Sequence, residues 1–196
     1  MFKSEKMKRR EAIKRTMLVS GYALSATAVV GVMNGCQAET TPNWKPSFLS
    51  EEQGHTLIEL TEAIIPKTDT PGANDVGVHQ FIDQLLNECL SEKEQALFTT
   101  GLDQLQSDCN TKFKKSFAKT SNDQKKEVLD EYDKAAYAAN NSPGGDRPFF
   151  TMAKQLTYLG YFTSESVGTE VLRYDPIPTA YNGCIPYEKG ERVWSI

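Results

Sequence analysis

Signals for the start of a helix recur along this chain, and they constrain its fold more than any other feature. Three Ser-x-x-Gln or Ser-x-x-Glu sequences begin at Ser50, Ser91 and Ser121. Each fits a capping box, in which the serine hydroxyl and the side chain three residues later satisfy backbone donors reciprocally. Each also opens a stretch in which apolar residues recur at helical spacing, so we expect a helix after each one.

The apolar residues after these boxes form stripes that repeat every three or four positions, and no stretch shows sustained period-two alternation. The stripes are Leu57, Leu60 and Ile64; Val78, Ile82, Leu85 and Cys89; Phe98, Leu102, Leu105 and Cys109; Val128, Tyr132, Ala135 and Ala139; and Phe149, Ala153, Leu156 and Gly160. A last helix is expected to begin at Pro148. Prolines and glycines recur after Arg173. We therefore predict an all-α domain over residues 49–196, a compact bundle of about five to six helices with an irregular C-terminal tail.

The N-terminus has the layout of an export signal. Arg9 and Arg10 lie in a basic flank, and a mostly apolar stretch of about 16 residues follows from Met17 to Val32, which is short for a membrane-spanning helix. The arginine pair resembles a twin-arginine signal. We predict a twin-arginine-type, lipoprotein-like signal peptide over residues 1–35, with an amphipathic N-terminal helix as the alternative.

The apolar stretch ends at Met33-Asn34-Gly35-Cys36, which resembles a lipoprotein processing site. We therefore predict that Cys36 is lipidated and anchors the chain without a membrane span. The alternative is ordinary cleavage nearby without a lipid. Residues 36–48 are polar and proline-punctuated, as expected of a tether. The expected location is the periplasm or cell envelope.

The charge distribution argues against nucleic acid as a partner. Residues 1–35 hold seven of the 22 basic residues but only two of the 26 acidic ones, so the rest of the chain carries a net charge of −9. A body of that sign is repelled by phosphate backbones.

No motif in the sequence indicates a cofactor site. There is no dinucleotide fingerprint, no Walker loop and no haem-attachment sequence. The pairs His55–Glu59 and His79–Asp83 have one-turn spacing, but a metal site needs three or four ligands, so we interpret both as solvated helix pairs. The loop over residues 69–75 lacks the spacing of a calcium loop and fits a turn between helices better. Ser164 is interpreted as a helix cap. We predict no catalytic, cofactor-binding or metal-binding residue on this chain.

Three cysteines remain for the folded body, namely Cys89, Cys109 and Cys184. In an oxidising compartment thiols tend to pair, and Cys89 and Cys109 end successive stripes, so they are candidates to meet across a helical hairpin. Cys184 would then be left to pair with another chain. The alternative is three reduced cysteines in the interior.

Two segments carry a family resemblance. The first runs from Leu60 to Ala73 and continues through Val76-Gly77-Val78 to Asp83, and the second runs from Leu156 to Glu165 with residues 172–174 and 181–186 behind it. Together with the arginine pair, they resemble the gluconate 2-dehydrogenase subunit 3 family over roughly residues 50–190.

The resemblance implies a non-catalytic small subunit. In such complexes a large flavoprotein of the glucose–methanol–choline type holds FAD and oxidises a sugar, sugar acid or glycoside, and a cytochrome c with haem c usually takes the electrons onward. The small subunit binds the flavoprotein and supplies the export signal for both. Aromatic residues near the C-terminus are either core or a partner interface. The interface candidates are Tyr161, Tyr174, Tyr181 and Cys184.

Two other functions remain open from the sequence. One is a free-standing envelope lipoprotein that acts as a binding or interaction module. The other is an independent hydrolase that uses Ser164 or Ser166. A signal-less flavoprotein gene beside this one would favour the accessory-subunit interpretation over both.

Overall fold

A computed structural model describes residues 44–140, 147–177, 183–184, 186 and 188–194. The predicted signal peptide with Arg9 and Arg10, the predicted lipidation site Cys36 and the interface candidate Tyr181 lie outside these residues. The described part contains the helices α1 (Glu51–Ile64), α2 (Val78–Glu88), α3 (Glu92–Phe113), α4 (Asn122–Asn140) and α5 (Phe149–Phe162), a 3₁₀ turn (Phe117–Lys119) and a short π-helix (Val167–Val171). It contains no strand, so the all-α prediction is confirmed.

The predicted capping boxes form the starts of three helices. At Ser50, before α1, the hydroxyl accepts from the Gln53 backbone N–H, and the side-chain amide oxygen of Gln53 accepts from the Ser50 backbone N–H, both at 3.2 Å. The same reciprocal pair precedes α4 at Ser121. Before α3, the Glu94 carboxylate accepts from the Ser91 N–H at 3.0 Å. Local sequence therefore fixes where α1, α3 and α4 begin.

Helices α1 and α5 are at the centre of the bundle, because each packs against all four of the other α-helices. Helix α5 is the more apolar in sequence. Met152, Ala153 and Thr157 on its inner face are fully buried. Two glycines allow its neighbours to come close. A β-carbon at Gly101 of α3 would collide with the ring of Phe149, and one at Gly160 would lie 2.7 Å from the Phe81 ring of α2.

Most predicted stripes face the core, and α4 shows one deviation. Val128 is buried and Tyr132 is partly buried, as expected, but Ala135 is exposed and Ala136 is buried. The reason is that Leu129 is buried as well. With Leu129 in the core, the buried face of α4 is centred toward Ala136 and turned away from Ala135.

The segment before α1 folds onto the bundle. The Asp83 carboxylate on α2 accepts the backbone N–H groups of Ser47, Phe48 and Leu49 at 2.6, 3.2 and 2.9 Å. The Trp44 ring packs edge-on to the imidazole of His79, with the ring centroids 4.9 Å apart. We call residues 44–49 the N-terminal clasp. The tether predicted over residues 36–48 therefore extends too far, because its last five residues are held by α2 through contacts that local sequence does not reveal.

Candidate partner-binding surface

An exposed apolar ridge lies on the outer face of α5. Tyr158, Leu159 and Phe162 are 43%, 47% and 51% exposed although they fall within two turns of one helix. Most residues of α5 are apolar, and the bundle buries eight of its 14 residues on one side. Exposed apolar side chains that lie side by side are typical of an interaction site. We refer to these three residues as the α5 ridge.

A cleft of about 670 Å³ adjoins the α5 ridge and lies between α1, α4 and α5. Its lining includes the apolar side chains of Ala63, Ile64, Leu129 and Phe150 among charged ones, and it also includes Tyr158 of the ridge. The ridge and the cleft are therefore one continuous surface.

Six of the eight charged residues that line the cleft form three ion pairs with one another. Lys125 pairs with Glu59 of α1, and Lys154 of α5 pairs with Asp133 at 2.9 Å. Lys126 and Asp130 form a further pair at 2.6 Å within α4. The neighbouring Asp133 carboxylate raises the pKa of Lys154, so this ammonium stays charged and engaged. Because these charges compensate one another, the surface carries little net charge, and its apolar area would contribute most to binding another molecule.

The structure changes the list of interface candidates. Tyr161 is only 4% exposed, and its hydroxyl donates a hydrogen bond to the Pro71 carbonyl oxygen at 2.8 Å, so assigning it to an interface was wrong. It lies on the core side of α5, where the loop after α1 supplies an acceptor. Tyr174 is 56% exposed and Cys184 is exposed, so both remain accessible. Sequence reasoning missed Leu159, although it lies about a quarter turn away from the stripe of Phe149, Ala153, Leu156 and Gly160.

The C-terminal tail returns to the end of the π-helix. The Arg173 N–H donates to the Val193 carbonyl oxygen at 2.8 Å, and the Arg173 guanidinium lies 4.1 Å from the centroid of the Trp194 ring. These contacts hold Tyr174 and the exposed Val193 and Trp194 in one part of the surface. The tail is irregular, as predicted, in the residues that the structure describes.

The predicted meeting of Cys89 and Cys109 is wrong. Cys89 is an exposed free thiol that precedes α3 by three residues, whereas Cys109 is a buried free thiol near the end of the same helix. A helix rises about 1.5 Å per residue, so the start of α3 lies about 25 Å from Cys109. Both cysteines end their stripes, but in a helical hairpin the end of the first helix lies next to the start of the second. The 22-residue helix α3 therefore carries the chain away from Cys89 before it reaches Cys109.

The interpretation of both histidine pairs as solvated holds for one of them. His55 is exposed, but His79 is 7% exposed and Asp83 is 1% exposed, because the N-terminal clasp covers them. No group of three or more His, Cys, Asp or Glu side chains that could hold a metal occurs among the described residues.

Two other local predictions are confirmed. The Ser164 hydroxyl donates to the Tyr161 carbonyl oxygen at 2.7 Å, so it caps the end of α5. Residues 69–75 lie in the loop between α1 and α2. In the part of the chain described here, none of the helices has the length and apolar character needed to cross a membrane.

Comparison with known proteins gave one match. A family model described as Gluconate 2-dehydrogenase subunit 3 matches residues 51–179, which include all five α-helices and the α5 ridge. No curated protein and no solved structure matches the chain.

Proposed function

The chain belongs to the gluconate 2-dehydrogenase subunit 3 family, and we propose from that membership that it is the small, non-catalytic subunit of an exported flavin dehydrogenase. Its partner is a large flavoprotein that holds FAD and oxidises a sugar, sugar acid or glycoside. A cytochrome c with haem c is the proposed electron acceptor.

One observation carries this proposal, namely the continuous surface formed by the α5 ridge and the adjoining cleft, which share Tyr158. A single exposed apolar side chain is common on protein surfaces, but three adjacent ones beside a cleft favour a protein partner. The core of an interface is enriched in aromatic side chains, and Tyr158 and Phe162 fit that composition. The surface lies within the residues that the family model matches.

The proposal assigns the N-terminal residues to export. Arg9 and Arg10 form the twin-arginine signal, and a folded flavoprotein that lacks a signal of its own crosses the membrane together with this subunit. Lipidated Cys36 then anchors the complex in the cell envelope. The basic pair and the Gly35-Cys36 sequence support this part of the proposal.

The test is copurification from the native host. A tagged chain is purified from the membrane fraction and scanned for flavin absorbance, and activity is measured with a panel of sugars and an artificial electron acceptor. We expect a flavoprotein in the preparation. Leu159→Glu and Phe162→Glu place a charge on the α5 ridge and are expected to reduce its yield at least tenfold, because an unpaired charge would be buried in the interface.

The matched control is Tyr137→Glu, which introduces the same charge on α4 at a side chain that is 74% exposed. It should leave the flavin content unchanged. A preparation without flavin, with full sugar-oxidising activity in a strain that lacks this gene, would contradict the proposal and favour a free-standing envelope lipoprotein. Retained flavin in both ridge variants would leave the subunit assignment in place and exclude the α5 ridge as the contact.

A further inference from the structure

Two buried side chains one turn apart on α2 hold the N-terminal clasp, and they hold it in different ways. Asp83 uses both carboxylate oxygens to accept three backbone N–H groups from residues 34 to 36 positions earlier. Hydrogen bonds to an ionised acceptor are stronger than neutral ones, so this carboxylate fixes the path of residues 47–49. Pro46 adds a packing contact, because it lies against the surface of Gly54 on α1.

His79 contributes a contact that depends on its being uncharged. Its ring is more than nine-tenths buried beneath Trp44, and its Nδ1 atom makes no hydrogen bond with any described residue. Buried polar atoms nearly always have a partner, so this nitrogen is an exception that calls for an explanation. An imidazolium at this position would need an acceptor for its Nδ1–H, and no described residue provides one.

We propose that the N-terminal clasp is a proton-sensitive device, which stays closed on neutral His79 and opens when His79 is protonated. This inference concerns the link between the bundle and the residues that precede it, and it does not depend on the proposed dehydrogenase partner.

The charged groups around His79 do not offset the free-energy cost of burying a protonated imidazole. On α2, Asp83 lies one turn from His79, and its two oxygens already accept the three N–H groups of the clasp. Lys45 in the clasp and Glu51 and His55 on α1 are exposed to solvent.

The charged group of the helix on the other side of α2 does not offset this cost either. Helix α5 packs there around Gly160. Its cation Lys154 is engaged with Asp133 of α4.

Burial lowers the pKa of His79 below its ordinary value of 6.5. In the open clasp, where water reaches the ring, the pKa returns to that value. A group whose pKa is lower in the closed form stabilises that form above the open-state pKa and loses this contribution as the pH falls through the window below it. Opening is therefore expected below about pH 6.5. It would free six residues and add about 20 Å to the reach of the segment ahead of α1.

The experiment uses the full chain with Trp194→Phe, which leaves Trp44 as the one tryptophan. The emission wavelength of Trp44 is followed from pH 7.5 to pH 5, with far-ultraviolet dichroism to show that the helices persist. We expect a shift to longer wavelengths as the pH falls. His79→Gln and His79→Leu should abolish the shift, and Asp83→Asn should give the long-wavelength emission at every pH. The matched control is His55→Gln, because His55 is the other histidine of the chain and it is exposed.

A second measurement does not need a variant. Hydrogen-exchange protection of the Ser47, Phe48 and Leu49 amides, corrected for intrinsic rates, should fall at least tenfold between pH 7 and pH 5, while the amide of Leu105 in the core of α3 keeps its protection. The proposal is overturned if these three amides stay protected at pH 5, if the His79 variants shift as the parent does, or if His55→Gln abolishes the shift.

Discussion

The hydroxyl of Tyr161 donates a hydrogen bond to the carbonyl oxygen of Pro71, 2.8 Å away in space and 90 residues earlier in the chain. Pro71 belongs to the loop after α1 and Tyr161 to the end of α5. These are the two segments whose sequences carry the family resemblance. The bond therefore gives a structural reason for both segments to occur in one protein, because each completes the other's hydrogen bonding.

Replacing Tyr161 with Phe should destabilise the protein by about 1 kcal/mol, because the Pro71 carbonyl loses its donor while the ring stays in the core. The melting temperature should fall by about 3 °C. Tyr158→Phe is the matched control, since the Tyr158 side chain is half-exposed and its hydroxyl makes no hydrogen bond that the structure describes. Equal melting temperatures for the two variants would show that the bond contributes nothing.

Gly101→Ala should destabilise the bundle by about 1–3 kcal/mol, because the new methyl group occupies the position of the Phe149 ring and α3 and α5 must move apart. Gly168→Ala provides the comparison, since a β-carbon there meets nothing within 4 Å. Its free energy of unfolding should change by less than about 0.5 kcal/mol. Urea denaturation measures both values, and a neutral Gly101→Ala would mean that the helices are less closely packed than described.

The pair formed by Lys125 and Glu59 should respond asymmetrically to mutation. The Lys125 side chain is 9% exposed and that of Glu59 is 36% exposed. Glu59→Gln leaves a nearly buried ammonium without its countercharge and should cost about 3 kcal/mol. Lys125→Met leaves a carboxylate that reaches water and should cost less than about 1 kcal/mol. Denaturant titrations of the two variants test this order, and a reversed order would contradict the burial of Lys125.

The cysteines should differ in reactivity toward a thiol reagent. Cys109 is fully buried, and burial raises the pKa of its thiol, so little thiolate is available. In the reduced native protein Cys89 and Cys184 should react, and Cys109 should react only after denaturant is added. Rapid labelling of Cys109 in the native state would refute this burial.

A disulfide to the partner subunit through Cys184 stays a prediction of the sequence. Cys184→Ser should remove a heavy band on non-reducing gels of the exported complex. Cys89→Ser is the control, because its thiol is also exposed, and it should leave the band in place. Loss of the band in the Cys89 variant instead would assign the bond to the other thiol.

The local rules of helix formation predicted the fold well and the surface poorly. Ser50, Ser91 and Ser121 act within three residues, so their role can be read from sequence. The exposed side of α5 could not be predicted from its own sequence. Tyr161 and Phe162 are adjacent aromatic residues, and only the position of the other helices decides which one is buried.

Contacts between distant segments explain the remaining errors. Asp83 was interpreted as a solvated residue because its three donors lie 34 to 36 residues earlier, where no helical pattern points to them. Cys89 and Cys109 do not meet, because each ends its stripe and α3 carries the chain away from Cys89 before Cys109.

The N-terminal clasp also decides where the folding unit begins. The family model starts at residue 51, but the domain also includes the N-terminal clasp, which begins at Trp44 and covers Asp83. A recombinant fragment cut at residue 51 would lack all three N–H donors and would leave the Asp83 carboxylate without them. A fragment that begins at or before Trp44 keeps the domain whole, so sequence similarity alone places the cut inside the folded body.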